Sequence, residues 1–461
     1  MHANMQRILN LILALFFLVA LWLGYWGIMR APELLAREDN PRRVVAEQRI
    51  RRGRVLDRHG EALAWSEIDA EGYAERRYAG GWLAHAVGYY SLRYGVSGIE
   101  AAFDEQLRGE PDHITWASWR NNLLHRPQIG QDIQVSLDAA LQRAAGEALE
   151  GQSGAIVLLD AETGEVLALV SAPTFDPNRL DEEWDTLSEA TDKPLFNRAL
   201  QGLYPPGATF NTIVMAAALE ENLTTADEIF QDKDGREQFG KAVVRCANHP
   251  GLDTFDLLHA AAYGCNVTFA RLSLRLGSEK LANYAEWFGL GLSPAFEIPA
   301  PAGQVASTFP LSTETLALTG LGQGEILVSP LQMALVAATI ANDGAMPGPT
   351  LLPNPESIAR GVITPQTARL VRRAMVLAVS EGLAGQIALP DLSIAGKAGT
   401  AEAGQDSAPH AWFIGFAPAG QEEKPRFAIA VVVEHGGEGA QVAAPIAARL
   451  LKLATDSRTG E

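Results

Sequence analysis

The hydrophobic pattern opens with one unbroken run. From Ile8 to Ile28, 21 residues, only Asn10 carries a strongly polar side chain. Wound as a helix at about 1.5 Å per residue, the run spans roughly 30 Å, enough for the core of a bilayer. Trp22, Tyr25 and Trp26 gather at its C-terminal end, where an interfacial aromatic belt forms. A signal peptide has a shorter apolar region, roughly 7–15 residues, followed by a small-residue cleavage site. Gly24-Tyr25-Trp26-Gly27 is a poor one, so the pattern predicts an uncleaved anchor over 8–28. Arg7 precedes it, and Arg30, Arg37, Arg42 and Arg43 follow. A literal positive-inside count puts the bulk of the chain in the cytoplasm, but large following domains escape that rule, and orientation stays open at this point.

Beyond the anchor the periods change. Val55-Leu56-Asp57-Arg58-His59-Gly60-Glu61 reads as a short strand and a turn. Tyr94 to Gly109 places a Gly-containing turn before a helix with Ile99, Ala102, Phe103 and Leu107 on one face. Asp138 to Leu149 reads as a further helix. Gly154 to Ser171 is the clearest hairpin, two apolar runs around Ala161-Glu162-Thr163-Gly164. Ala411 to Ala417 and Phe427 to Glu434 read as late strands, the second a β-branched run of the kind buried in a sheet core. Arg449 to Ala454 lies in a last helix, and a long, mainly helical stretch fills the middle. Strands at both ends with helices between predict one sheet assembled from distant segments, an α+β fold.

Composition narrows the classes. A chain of 461 residues allows about three domains. With 47% hydrophobic and 20% charged residues it is a foldable globular chain. Its net charge of −18 argues against a nucleic-acid binder. Two cysteines exclude a disulfide-dense scaffold and a four-cysteine zinc site. Residues 31–150 carry 15 Arg against 19 acids and residues 1–30 carry +2, so −16 falls on 151–461. Arg49, Arg51, Arg52, Arg54 and Arg58 suit a solvated face or attraction to anionic headgroups. Lysines are few, 7 against 30 arginines, so a lysine in a motif stands out. Cys246 and Cys265 flank 18 residues. They either pair, closing a loop worth roughly 3 kcal/mol on the entropic account, or stay two buried thiols. His249, His410 and His435 lack metal-ligand spacing and read as core or loop histidines.

The informative stretch is Leu195 to Thr212, LFNRALQGLYPPGATFNT, a Pro-Pro-Gly turn running into an apparent helix around Met215 to Leu219. After it come AYGCNVTFARL with Gly264-Cys265-Asn266, GQGEILVSPLQM from Gly322, GKAGTAE from Gly396, and HAWFIGFAP from His410. In this order the segments resemble the penicillin-binding proteins, specifically the monofunctional (class B) transpeptidases with a single membrane anchor. That family reads Y-P-P-G-S-T-F-K at the first segment. RGRVLDRHGE and YGVSGIEAAFDEQLRG resemble the non-catalytic pedestal of the class, so the resemblance covers about Arg49 to Leu451. It implies a cytoplasmic tail over 1–7, the anchor over 8–28, a pedestal over 31–150, and a transpeptidase-like penicillin-binding domain over 151–455. That domain has the serine β-lactamase-like fold, an antiparallel five-stranded sheet flanked by helices.

The family's chemistry needs three elements. The first is S-x-x-K at a helix N-terminus, where serine and lysine share a helical face and the lysine helps take the serine proton. Here the two positions hold Ala208, which has no nucleophile, and Asn211, which is no base. The second is S-x-N, with a proton-relaying serine and an amide-binding asparagine. Gly264 stands at the serine and Asn266 remains. The third is K-T-G or K-S-G on a strand edge, orienting the substrate carboxylate. Lys397, Gly399 and Thr400 remain, while Ala398 replaces the hydroxyl. In subtilisin, loss of the nucleophile alone lowers turnover roughly 10⁶-fold, about 8 kcal/mol. Thr209 and Cys265 are the neighbouring candidates for a substitute nucleophile. Helical geometry rotates the first about 100° from the groove, and strand alternation turns the second away.

No intact catalytic residue, metal or cofactor is therefore expected, and Asn266, Lys397, Gly399 and Thr400 form a residual substrate groove. The expectation is a pseudo-transpeptidase, a scaffold or activator in peptidoglycan synthesis, with its bulk outside the cytoplasmic membrane. The resemblance implies a polytopic SEDS-type peptidoglycan glycosyltransferase as partner. Two alternatives stay open: a module binding stem peptide or β-lactam without acylation, and an active D,D-transpeptidase with a relocated nucleophile.

Overall fold

The computed structural model describes residues 2–30, 45, 47–109, 128–149, 151–232, 234–246, 251–306, 310–355, 358–404, 407–420 and 423–459. His249, Arg37, Arg42 and Arg43 lie outside them. The chain forms two compact units: Met1–Gly53 with Ser66–Arg76 and Glu105–Gln131, and Arg54–Trp65 with Arg77–Asp104 and Asp132–Glu461.

In the first unit, helix α1 (His2–Gly24) continues into a π-helical turn, Tyr25–Met29. Its segment Met5–Gly27 has a mean hydropathy of 2.4. Its apolar side chains meet no protein; Phe16 is 71% exposed. It is the one helix among the described residues long and apolar enough to cross a membrane. Trp22, Tyr25 and Trp26 pack ring against ring at 5.9 to 6.4 Å. Elsewhere in this unit Arg108 forks onto Glu47 through bonds of 2.7 and 2.8 Å.

Strands β1 (Val55–Leu56), β2 (Ala62–Ile68), β3 (Ala74–Tyr78) and β4 (Ile133–Gln134) form a sheet in the order β3-β2-β1-β4. The turn expected after β1 is built by Asp57, whose Oδ1 accepts from the His59 and Glu61 amides, both at 2.8 Å. The single helix expected before Gly109 is two short ones, Gly98–Ala102 and Asp104–Arg108. They break where Phe103 leaves helical geometry at φ −117°.

The second unit is built on a five-stranded antiparallel sheet. Helix α2 (Ala139–Ala148) starts at Asp138, whose carboxylate accepts from the Ala140 and Leu141 amides, a side-chain N-cap. The hairpin β5 (Gly154–Asp160) and β6 (Val166–Ala172) follows. Then come α3 (Leu180–Glu189), α4 (Asn211–Glu220), α5 (Leu257–Tyr263), α6 (Asn266–Trp287, interrupted at Gly277), α7 (Pro330–Ala341) and α8 (Pro365–Ser380). The chain ends with β7 (Ala395–Ala401), β8 (His410–Ala417), β9 (Phe427–Val433) and α9 (Ala443–Thr459). Strand order is β7-β8-β9-β5-β6, with Lys397 opposite Ile414, Ile414 opposite Ala430, and Ala430 opposite Val157.

Both faces of this sheet are covered, which is why β9 is continuously apolar rather than alternating. On one face Leu141, Ala145, Leu450 and Leu451 from α2 and α9 pack against Ile156, Phe413 and Val431. On the other lies α7, all of whose residues are buried. The outer edge at β6 is closed by Gln142. Its amide donates to the Leu169 carbonyl at 2.8 Å and accepts from the Leu169 amide at 2.7 Å. A side chain thus satisfies edge groups that would otherwise offer a pairing template. The middle of the chain is less purely helical than expected. Ile229–Gln231 pairs with Thr254–Asp256, and Arg236–Phe239 with Ala242–Arg245. Strands of three or four residues are too short to show a period.

Candidate functional site

The site is assembled at the free edge of β7. Residues Gly207–Phe210 form a 3₁₀ turn that runs into α4, so Ala208 and Asn211, three apart, lie on one side of it. The turn meets β7 closely. A Cβ on Gly399 would come within 3.0 Å of the Pro206 carbonyl and the Thr209 amide, so only glycine lets the strand approach this far. Gln323 ties the same corner, donating to the Thr400 carbonyl and accepting from the Glu402 amide, each at 3.3 Å. Gly207 donates to the Gly322 carbonyl at 2.9 Å. Three segments singled out in the sequence, PPGA, GQGE and GKAGT, therefore meet at one place.

A polar network fixes the residue before the Pro-Pro-Gly turn. Tyr204 donates its hydroxyl to Glu434 Oε1 at 2.7 Å, and Arg198 Nε donates to the same oxygen at 3.0 Å. Burial, then the charge of Glu434, pushes the Tyr204 hydroxyl far up, so it stays a neutral donor. Sequence reasoning gave no role to Arg198, though it lies in the quoted stretch from Leu195, or to Glu434 at the end of the last expected strand.

Lys397 is buried, 3% exposed, and its ammonium donates to the Ala398 carbonyl at 3.0 Å. Burial lowers its pKa from the ordinary 10.5 to about 8. Asn211 is 1% exposed, and neither polar atom of its amide has a protein partner among the described residues. Asn211 and Lys397 line a common cavity of about 10 Å³ with Thr212, Met215, Phe269 and Met375, room for about one water. Ala398 packs in the apolar core with Val379, Ile387 and Phe413. Thr400 is exposed, and its hydroxyl accepts from the Gly439 amide at 3.3 Å.

The S-x-N segment lies at the junction of α5 and α6. Gly264 ends α5 in the left-handed region, φ +69°, bonding back to the Ala260 and Ala261 carbonyls, the usual glycine C-terminal stop. Its place beside Lys397 is close: a Cβ there would be 3.8 Å from the Lys397 Nζ and 2.5 Å from Leu383 Cδ1. Asn266 donates its amide to the Arg245 carbonyl at 2.8 Å. Cys265 is bonded to Cys246, deciding the pairing that the sequence left open. The disulfide staples the strand Ala242–Arg245 to this junction. Asp232 Oδ2 lies 2.9 Å from each sulfur. This is the one cluster of metal-ligand side chains among the described residues, but with both sulfurs bonded together it offers no thiolate. Thr209 is fully buried and donates its hydroxyl to the Pro206 carbonyl at 2.7 Å. His410 and His435 sit ring against ring at 4.9 Å beside Tyr204, and burial lowers the His410 pKa.

Comparison with known proteins agrees with this arrangement. The penicillin binding protein transpeptidase domain family matches residues 154–452, and the penicillin binding protein A dimerisation domain matches residues 52–133. The peptidoglycan D,D-transpeptidase PbpA of Mycolicibacterium smegmatis is 33% identical, aligned over 97% of each chain. PbpA of Mycobacterium tuberculosis is 32% identical over 98% of this chain and 99% of its own. Among solved structures, the ceftriaxone acyl-enzyme complex of M. tuberculosis penicillin-binding protein A has a TM-score of 0.80 at 31% identity, covering 88% of this chain and 99% of that one. The D,D-transpeptidase domain of an Eggerthella lenta peptidoglycan glycosyltransferase has a TM-score of 0.77 at 30% identity, covering 89% and 99%. With its sheet, helices and N-terminal apolar helix as described, the chain belongs to the penicillin-binding proteins, of the monofunctional class B type.

Proposed function

We propose that this chain serves peptidoglycan synthesis as a pseudo-transpeptidase: it lies on the outer face of the cytoplasmic membrane, held by α1, and acts through contacts rather than acyl transfer. The relatives' names support the cell-wall role, since they are peptidoglycan D,D-transpeptidases. The observation that carries the departure from them is Ala208. A methyl group stands where the family's chemistry needs a hydroxyl. Both substitute nucleophiles are engaged, Thr209 in a hydrogen bond to Pro206 and Cys265 in the disulfide. The lysine partner position holds Asn211, which neither takes nor gives a proton at neutral pH. The partner proposed is a SEDS-type glycan polymerase, which the chain would scaffold or activate.

A fluorescent penicillin tests the reading directly. The full chain in detergent is expected to carry no covalent label under conditions that label an active transpeptidase. A label that survives denaturation would overturn it and restore the relocated-nucleophile alternative. Co-purification with a SEDS-type polymerase, or stimulation of one in reconstituted membranes, tests the contact role. Absence of both removes the scaffold. The non-covalent binding module has less support, because Asn266 and Lys397 both direct their polar groups to backbone carbonyls of the protein.

A further inference from the structure

The segment after α8 has no place in any motif, yet it is held tightly against the groove. Gly382 donates to the Leu377 carbonyl at 3.0 Å, and Leu383 donates to the Ala262 carbonyl, in the last turn of α5, at 3.2 Å. Gly382 has no room for a larger residue, since a Cβ there would lie 2.3 Å from that same carbonyl. These contacts fix the backbone that carries Leu383. Its Cδ1 lies 2.5 Å from the point where a side chain at position 264 would begin, and the Lys397 Nζ lies 3.8 Å from that point. The leucine thus fills volume that glycine at 264 vacates, next to the Lys397 ammonium.

Resting on the pseudo-transpeptidase reading, we infer that Leu383 closes the residual substrate groove: its isobutyl group occupies the approach to the Lys397 ammonium and keeps carboxylate ligands of the stem-peptide or β-lactam class from reaching it. Two further observations fit. The ammonium finds its partner inside its own strand, at the Ala398 carbonyl. The remaining space by Asn211, about 10 Å³, is far smaller than any such ligand. In this account Leu383 decides access, whereas the missing nucleophile decides chemistry.

The seven lysines of the chain provide the test. The full chain in detergent is treated at pH 8 with a trace of acetic anhydride, and acetylation is mapped lysine by lysine. An amine with a pKa of about 8 is half unprotonated at that pH, so with free access Lys397 would react fastest of all. In the native chain it is expected at least tenfold slower than exposed Lys241. In Leu383→Ala it should become at least as fast as Lys241, while Lys241 itself is unchanged. Leu383→Phe, which keeps the bulk, should retain the protection. If Leu383→Ala does not fold, Leu383→Val is expected to give a smaller rise in the same direction. Rapid acetylation of Lys397 in the native chain, or a rate indifferent to residue 383 in the folded variants, would overturn the inference. Neither result touches penicillin labelling. A covalent penicillin label with Lys397 still protected would instead refute the pseudo-transpeptidase reading alone.

Discussion

At the scale of single residues, the positions that identify the family and those that depart from it were legible together, because both sit at fixed places in short motifs. Ala208, Asn211, Gly264 and Ala398 could be read as departures from the family's motifs without coordinates. Their surroundings could not. Burial of Lys397 depends on helices far away in sequence, and it has a measurable consequence. A lysine whose folded pKa is lowered to about 8 from 10.5 binds fewer protons folded than unfolded between those values. Stability therefore rises with pH across that window, and the full penalty, about 3 kcal/mol, is present below pH 8. Lys397→Met is expected to stabilise the protein at pH 7 and to flatten its denaturation midpoint between pH 8 and 10. An unchanged pH slope would count against a buried ammonium. Asn211 makes a second case. Both its polar atoms are buried without a protein partner, and such groups cost about 1–3 kcal/mol each when left unsatisfied. Asn211→Leu, which keeps the branched four-atom shape, is expected to raise stability by about 1 kcal/mol, measured by chemical denaturation.

At the scale of elements, the sheet strands were legible because the sheet is covered on both faces, giving long apolar runs at 154–160, 166–172 and 427–433. The short strands between 229 and 256 were not. Helix α7 shows how such elements are held. Ser329 and Gln332 form a capping box, and Gln332 Nε2 also donates to the carbonyls of Gly289, Leu290 and Leu292 at 2.9 to 3.0 Å. Gln332→Leu should cost about 1–3 kcal/mol, chiefly by stranding the buried Leu290 carbonyl. Ser329→Ala should cost about 1 kcal/mol. The turn before Ala86 has an acid-sensitive lock. His85 Nε2 donates to the Pro194 carbonyl at 2.9 Å, and its own carbonyl accepts from Asn197. Burial above all lowers the His85 pKa to about 4 from 6.5. The unfolded chain then binds more protons between those values, so the contribution present above pH 6.5 is lost as pH falls toward 4, about 3 kcal/mol in all. His85→Phe is expected to lose that pH dependence, seen as a smaller drop in Tm between pH 7 and 5.

At the scale of the whole molecule, the long apolar N-terminal helix and the class of fold were legible, since a 21-residue apolar run and ordered motifs survive any detail of packing. The division into compact units was not. It follows contacts that leave and re-enter the chain at 53, 65, 76, 104 and 131, whereas sequence reading gives only continuous stretches. Deleting residues 2–30 is expected to move the protein from the membrane to the soluble fraction, as read by sedimentation after lysis. The remaining chain, with its charge of −20, should stay soluble without detergent.

The left-handed glycine at the end of α5 bears on the history open to such a chain. A serine at 264 alone would adopt a backbone conformation that costs about 1–2 kcal/mol and would require the Leu383 side chain to move aside. On the proposed reading it would gain no reactivity, because position 208 still lacks a hydroxyl. A serine restored at 208 alone would lack both base and relay. Each single step back is neutral or harmful, and the benefit arrives only when several coincide. If the chain is the pseudo-transpeptidase proposed above, its departure from the family's motifs would therefore behave as a ratchet, easy to enter one substitution at a time and hard to leave by the same route.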